Sequence, residues 1–319
     1  MKYLFFDIEC SNCFNGKGKV CEFGYVITDE NFKIISAQDI PMSPGKGRGN
    51  RFHLRDRMAV EDVKLAYDET YYYEQPELPA FYERIKKLMS SNDTICFAFS
   101  MSNDIRYLAD SCIRYKLPLI DYTCYDVQKL AAEYLELKGQ PGLMKCVEEI
   151  VGPHATFGLV EHLSRDDAKM EMMIVEAICV LNQTDLKTLL VQSESAKANS
   201  IEFINEFKKA QEIKNKKDEA RRYIQEITKK HAPLINDEQY KGKRYSVSNK
   251  IRVDLGLLKR VISNIERIGG LFTVHYVDTD HLIVLDDDNL KRTREKFADI
   301  FFGDYILIND FIKEDKEEQ

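Results

Sequence analysis

Tyr3-Leu4-Phe5-Phe6-Asp7-Ile8-Glu9 is the stretch on which the reading of this chain turns. Its aromatic and aliphatic run predicts a buried strand. Two carboxylates two residues apart on a strand point to one face, because side chains alternate with period two. Burying that pair without a partner carries a large desolvation cost. Oxygen-seeking divalent cations such as Mg²⁺ and Mn²⁺ are the usual remedy. An Asp and a Glu at the open, water-facing end of a strand fit the same pattern. The segment alone does not choose between the two, and the choice falls to the rest of the chain.

Outward from there, residues 11–19 have turn composition. Val20 to Thr28, with Gly24 inside it, and Asn31 to Ile40 predict two further strands in an antiparallel meander. The loop from Pro41 to Met58 holds Gly45, Gly47 and Gly49 and five cations against the single acid Asp56. Arg48, Arg51 and Arg55 are its candidate contacts to a phosphate backbone, with a solvated surface loop as the alternative. Val60 to Tyr73 and Ala80 to Met89 predict helices, and Asp93 to Phe99 a buried strand. Asp104 falls where that strand gives way to a helix over Ile105 to Tyr115, a common place for active-site acids and equally for a helix N-cap. Leu119 to Thr123 predicts a short strand, and Asp126 to Leu137 and Leu143 to Val151 predict helices. His162 lies just before an apolar helix running through Leu181, with Asp167 in its first turn.

Composition sets the bounds. The 319 residues allow one to three domains, and 44% hydrophobic with 31% charged residues is ordinary for a globular chain. No apolar run reaches the length of a membrane span and no signal peptide opens the chain, so a cytoplasmic protein without membrane contact is expected. The eight cysteines then read as reduced thiols. Cys10-x-x-Cys13 with Cys21 hints at zinc, but no second pair completes a ligand set. A net charge of −7 does not announce a nucleic-acid binder, although local basic patches around an acidic metal site would still hold a polyanion.

Asp7 and Glu9, then Asp104, then His162 and Asp167 form an ordered set. Four carboxylates and a histidine suit a two-metal phosphodiester hydrolase, in which His takes the proton of a water. The set resembles the DEDDh branch of the DEDD exonucleases, which includes the DNA polymerase III epsilon subunit and RNase T. Phe6-Asp7-Ile8-Glu9 resembles its first motif, Val20 to Val26 its second strand with a glycine, and Asp104-Ile105-Arg106-Tyr107-Leu108 its second motif. Asp121-Tyr122-Thr123 resembles its short Asp-Thr strand, and His162 through Asp167-Ala168 its third motif. The resemblance covers roughly residues 1–182. It implies an α/β, RNase H-like mixed-sheet domain that acts as a metal-dependent 3′→5′ exonuclease on DNA or RNA 3′ ends. It further implies that Asp7, Glu9, Asp104 and Asp167 hold two divalent cations, Mg²⁺ or Mn²⁺, and that His162 is the general base. Asp166 is the rival to Asp167, and the family spacing favours Asp167. Cys10 in place of the usual Thr, and the line Phe99 to Asn103 before Asp104, depart from the family.

Residues 183–235 read as a charged helical linker. Residues 208–230 hold nine Lys or Arg against four acids, a pattern that fits a nucleic-acid stripe or a solvated helix face. Residues 236–319 predict a small α/β domain in the order βαββαβα. This domain resembles BRCT domains at Tyr240-Lys241-Gly242-Lys243, Gly269-Gly270, Thr279 to Val284 and Ile308 to Phe311, with Phe311 where the family usually has Trp. The resemblance implies docking to a protein partner or DNA end, with Ser248 and Lys291 as candidate phosphate ligands. Asn249 in place of a glycine and the run Asp286-Asp287-Asp288 oppose phosphate binding. The alternative function is a non-catalytic adaptor that binds nucleic-acid ends and recruits repair or replication proteins.

Overall fold

The computed structural model describes residues 1–11, 18–45, 65–235 and 242–313. The chain forms two compact units, Met1–Glu206 and Phe207–Gln319.

In the first unit, β1 (Lys2–Ser11), β2 (Lys19–Thr28) and β3 (Ile34–Pro41) form the antiparallel meander that the turn signals predict. Asp29 shapes the second turn by accepting the Asn31 and Lys33 N–H groups, both at 3.0 Å. Two short helices follow, α1 (Glu69–Glu74) and α2 (Tyr82–Met89). Next, β4 (Thr94–Ala98) pairs in parallel with β1 and leads into α3 (Met101–Arg114). The next strand, β5 (Thr123–Asp126), is parallel to β4 and is followed by α4 (Val127–Tyr134). The short α5 (Leu143–Cys146) continues as a π-helical turn to Val151. The long apolar helix α6 (Ser164–Leu181), α7 (Leu186–Gln192) and β6 (Lys197–Asn199) complete the unit. The mixed sheet has the order β3-β2-β1-β4-β5-β6.

Alternation along β1 assigns its residues to two cores. Leu4, Phe6 and Ile8 pack with Ile85 and Met89 of α2 and Ile105 of α3. Tyr3 and Phe5 pack with Leu130 of α4 and Val175 and Ile178 of α6. Each such side chain contributes about 1.5–3 kcal/mol relative to exposure. Asp7 and Glu9 continue the Tyr3–Phe5 series and therefore project to the α6 side. Helix α6 sits close on β2. Gly24, opposite Asp7 in the register, has no side chain, and a Cβ there would lie 2.0 Å from the backbone of Ser164 and Arg165. Glu22 accepts the Ser164 N–H at 2.7 Å, so two β2 residues fix where α6 begins.

Element bounds shift from the sequence reading: α1 begins at Glu69, inside the helix expected over Val60 to Tyr73. The strand expected at Leu119 to Thr123 forms instead at Thr123–Asp126. Ile120 is buried in coil, where the Ser200 hydroxyl donates to its carbonyl and accepts the Tyr122 N–H. The division between the two compact units falls at Glu206, and within residues 183–206 β6 adds an antiparallel edge to β5. Helix α8 (Ser200–Ile235) runs past Pro233.

Phe203 and Ile204 of α8 pack in the first unit, whereas its Ala220, Tyr223, Ile224 and Ile227 pack in the second. The second unit continues with β7 (Arg244–Val247), the single turn α9 (Asn249–Arg252), α10 (Leu255–Arg267) and β8 (Leu271–Phe272). After these come β9 (His281–Val284), α11 (Asp287–Phe297), β10 (Asp304–Leu307) and α12 (Ile308–Lys313). Its four described strands are all parallel, in the order β10-β9-β7-β8. Buried His231 anchors α8 here. Its Nδ1 accepts the Phe272 N–H at 2.9 Å, which leaves Nε2–H to donate to Glu266 at 3.0 Å. Among the described residues, no helix is long and apolar enough to cross a membrane.

Candidate functional site

Asp7 and Glu9 of β1, Asp104 of α3, and His162 and Asp167 at the start of α6 line one open cleft of about 410 Å³. Three parts of the chain distant in sequence supply them. Asp104 stands in the first turn of α3, after Ser100 in a left-handed conformation (φ 60°). It is therefore inside the helix rather than its cap. His162 also has left-handed backbone (φ 63°), and its N–H donates to Asp167 Oδ2 at 3.2 Å. Its ring Nδ1 lies 3.3 Å from Glu9 Oε1. Asp166 is occupied elsewhere: it accepts the Val160 N–H at 3.0 Å and pairs with Arg165 at 2.9 Å.

Crowding of acids dominates the electrostatics. Burial, and then the charges of Glu9, Asp104 and Asp167, push the Asp7 carboxyl well above the usual carboxylate range. Burial, followed by Glu9, does the same to Asp104, against a hydrogen bond from the Ile8 backbone. Asp167 is pushed up to about 7 by burial and then by Glu9. Glu9 is raised by burial, which its hydrogen bond to His162 opposes. His162 is itself raised, first by that same bond.

Asp7 Oδ2, Asp104 Oδ2 and Asp167 Oδ1 are buried without a hydrogen-bond partner among the described residues. Glu9, His162 and Asp167 each bring one ligand atom to within 4.8 Å of the other two. Asp7 and Asp104 line the same cleft outside that triad. Orphaned carboxylate oxygens, all shifted toward the neutral form, fit a hard divalent cation, which would take those lone pairs and relieve the repulsion.

One buried acid beside this cluster was missed by sequence reasoning. Glu171 is 0% exposed, and it accepts the Phe99 N–H at 2.8 Å. Its spacing from Asp167, four residues on a helix, places both on one face and was the available signal. Cys10 and Cys21 are buried, and the Cys21 thiol donates to the Glu9 carbonyl at 3.4 Å. Cys13, Arg48, Arg51 and Arg55 lie outside the described residues. In the second unit, Ser248 is 1% exposed and its hydroxyl donates to Asn289 Oδ1 at 2.7 Å, while Lys291 is exposed on α11.

No family model and no curated protein matches this chain. Solved structures align with part of it. The 3′-exonuclease in a structure of histone mRNA stem-loop 3′-end recognition is 12% identical, with a TM-score of 0.43 over 57% of this chain and 64% of that one. E. coli exonuclease I in complex with a dA16 oligonucleotide is 13% identical, with a TM-score of 0.45 over 60% of this chain and 42% of that one. Exonuclease X in complex with 5′-overhanging duplex DNA is 15% identical, with a TM-score of 0.39 over 57% and 93%. The match therefore spans less than two-thirds of the first two proteins.

Proposed function

We propose that the first unit is a metal-dependent 3′→5′ exonuclease releasing nucleoside monophosphates from DNA or RNA 3′ ends. The observation that carries this reading is the group of buried carboxylate oxygens, without a hydrogen-bond partner among the described residues, in an open cleft beside His162. The motif order shared with DEDDh exonucleases supports the reaction and its direction. Asp7, Glu9, Asp104 and Asp167 would hold two Mg²⁺ or Mn²⁺ ions. Bound there, such ions lower the pKa of water and neutralise charge on the leaving oxygen. His162 would act as general base. Donation from its Nδ1 to Glu9 leaves Nε2 to accept a proton from the attacking water. The hydrogen bond from its backbone to Asp167 holds the ring at the cleft. Phe99 and Tyr107 line the wall and offer aromatic faces to a terminal base.

For the second unit, the proposed role is BRCT-like docking of a protein partner or DNA end. Apart from the extra turn α9, its element order is the expected βαββαβα. Phosphate binding by Ser248 would require its hydroxyl to give up Asn289.

The test is digestion of 3′- and 5′-labelled single-stranded DNA and RNA with Mg²⁺, Mn²⁺ or EDTA, for wild type and Asp7→Ala. Stepwise, metal-dependent shortening from the 3′ end that the substitution abolishes is the expected result. No cleavage of any substrate with either metal would overturn the nuclease reading in favour of a non-catalytic adaptor.

A further inference from the structure

Glu171 has no part in the chemistry just described, yet it is wholly buried among the acids that do. It stands one turn beyond Asp167 on α6. One carboxylate oxygen accepts the Phe99 N–H at 2.8 Å, and the other has no partner among the described residues. Phe99 is the hinge between β4 and α3. The next residue, Ser100, is left-handed without being glycine, a conformation that needs support from its surroundings. Helix α3 gains no side-chain cap from Ser100. The segment beyond it supplies one wall of the cleft, with Phe99, Ser100, Asn103, Asp104 and Tyr107 all lining it. Asp104 and Asp167 stand on separate helices, and a shared cation site requires those helices to hold a fixed spacing.

We infer that Glu171 is a positioning residue for this cleft: by holding the Phe99 N–H it locks the β4–α3 turn, and so Asp104, against the helix that carries Asp167. The inference rests on the nuclease reading, because its consequence is a correctly spaced cation site. An acceptor at this position matters for its geometry, as outer-shell partners of metal ligands do. Burial and the neighbouring charges of Asp104 and Asp167 raise the Glu171 carboxyl well above the usual range, against the Phe99 hydrogen bond. An amide oxygen at the same place would accept the same N–H.

The test uses the full chain and Mn²⁺ alone as probe, titrated calorimetrically into wild type, Asp104→Ala, Glu171→Met and Glu171→Gln. Circular dichroism checks the fold, and turnover is read on a labelled oligonucleotide. Glu171→Met should weaken Mn²⁺ binding about 10-fold or more and lower kcat with little change in KM. Glu171→Gln should restore both toward wild type. Should Glu171→Met fail to fold, Glu171→Ala, which leaves room for water against the Phe99 N–H, replaces it in the comparison. Wild-type Mn²⁺ affinity in the Met or Ala variant would overturn the inference, as would equal impairment of Gln and Met. If wild type binds Mn²⁺ and Asp104→Ala does not, the nuclease reading survives either result. If wild type does not bind Mn²⁺, both fall.

Discussion

Gly24→Ala tests the seating of α6 on β2 with the smallest possible addition. The new methyl carbon would lie 2.0 Å from Ser164 C and Arg165 N. Non-bonded carbons rest at about 3.5 Å or more, so α6 or β2 must yield by about 1.5 Å. The neighbours are backbone atoms and cannot turn away as a flexible side chain would. Gly24 has no left-handed torsion, so the effect is purely steric. Overpacking of this kind costs about 1–3 kcal/mol, which in a unit of this size lowers Tm by roughly 2–12 °C. The displacement falls on the bond between Glu22 and the Ser164 N–H, three residues before Asp167. A shift of about 1 Å in a catalytic group is enough for a loss of about 100-fold in turnover. Thermal unfolding monitored by circular dichroism and single-turnover exonuclease assays would measure the two effects. A variant with Tm within about 1 °C of wild type and undiminished turnover would refute the claim that α6 is placed by contact with this glycine.

His162→Ala should cut kcat by roughly 10²–10⁴-fold while leaving Mn²⁺ affinity near wild type; loss of Mn²⁺ binding in a calorimetric titration would make His162 a ligand, as its closeness to Glu9 and Asp167 also allows. Mn²⁺ at about 100 times its Kd should stabilise the protein by about 2.7 kcal/mol, a Tm rise of roughly 5–11 °C that EDTA reverses; a melting curve indifferent to Mn²⁺ would count against a cation site. Burial, and then Glu22, push the Asp39 carboxyl up to about 8. Between about pH 4 and pH 8 the native state therefore binds more protons than the unfolded chain, so its stability falls as pH rises through that window. Asp39→Asn should flatten this slope in metal-free urea unfolding, and an unchanged slope would sink the assignment. His231→Ala leaves the Phe272 N–H without its acceptor and should destabilise the second unit by about 1–3 kcal/mol, read from its urea midpoint.

The elements that position the site were legible where one physical signal dominated. The strand β1 announces itself by unbroken apolar residues, and α6 by an apolar run after His162. The strand β6 was not legible. Lys197-Ala198-Asn199 has no strand composition, and it becomes a strand only because the edge of β5 is there to pair with it. The misplacement of β5 has the same origin: Ile120 draws the eye as strand core, but its burial is satisfied in coil by Ser200. Asp7, Glu9, Asp104, His162 and Asp167 were each nameable because an ordered set is recognisable when its members are individually weak. Glu171 was not, since an acid within an apolar helix reads as its solvent face until the helix is seen to be covered on that side.

The helices that carry the cleft acids begin differently from those that open on a capping Asp. Among the described residues, five helices open on an Asp whose side chain accepts a first-turn N–H: α1 on Asp68, α4 on Asp126, α7 on Asp185, α10 on Asp254 and α11 on Asp286. Each such cap contributes typically about 1 kcal/mol. The two helices that carry cleft acids do without one. Ser100 before α3 and Leu163 before α6 make no side-chain cap, and a left-handed, non-glycine residue stands at or just before each start. Both starts thus forgo a stabilising feature and add backbone strain. In return, each helix N-terminus brings its positive end to an acid of the cleft, Asp104 in one case and Asp167 in the other. That partial compensation favours the charged carboxylates which burial and mutual repulsion oppose. Left-handed non-glycine residues also stand at Phe32, Lys116, Glu136 and Gln183, but at these two turns the strain falls where the acids of the proposed cation site converge.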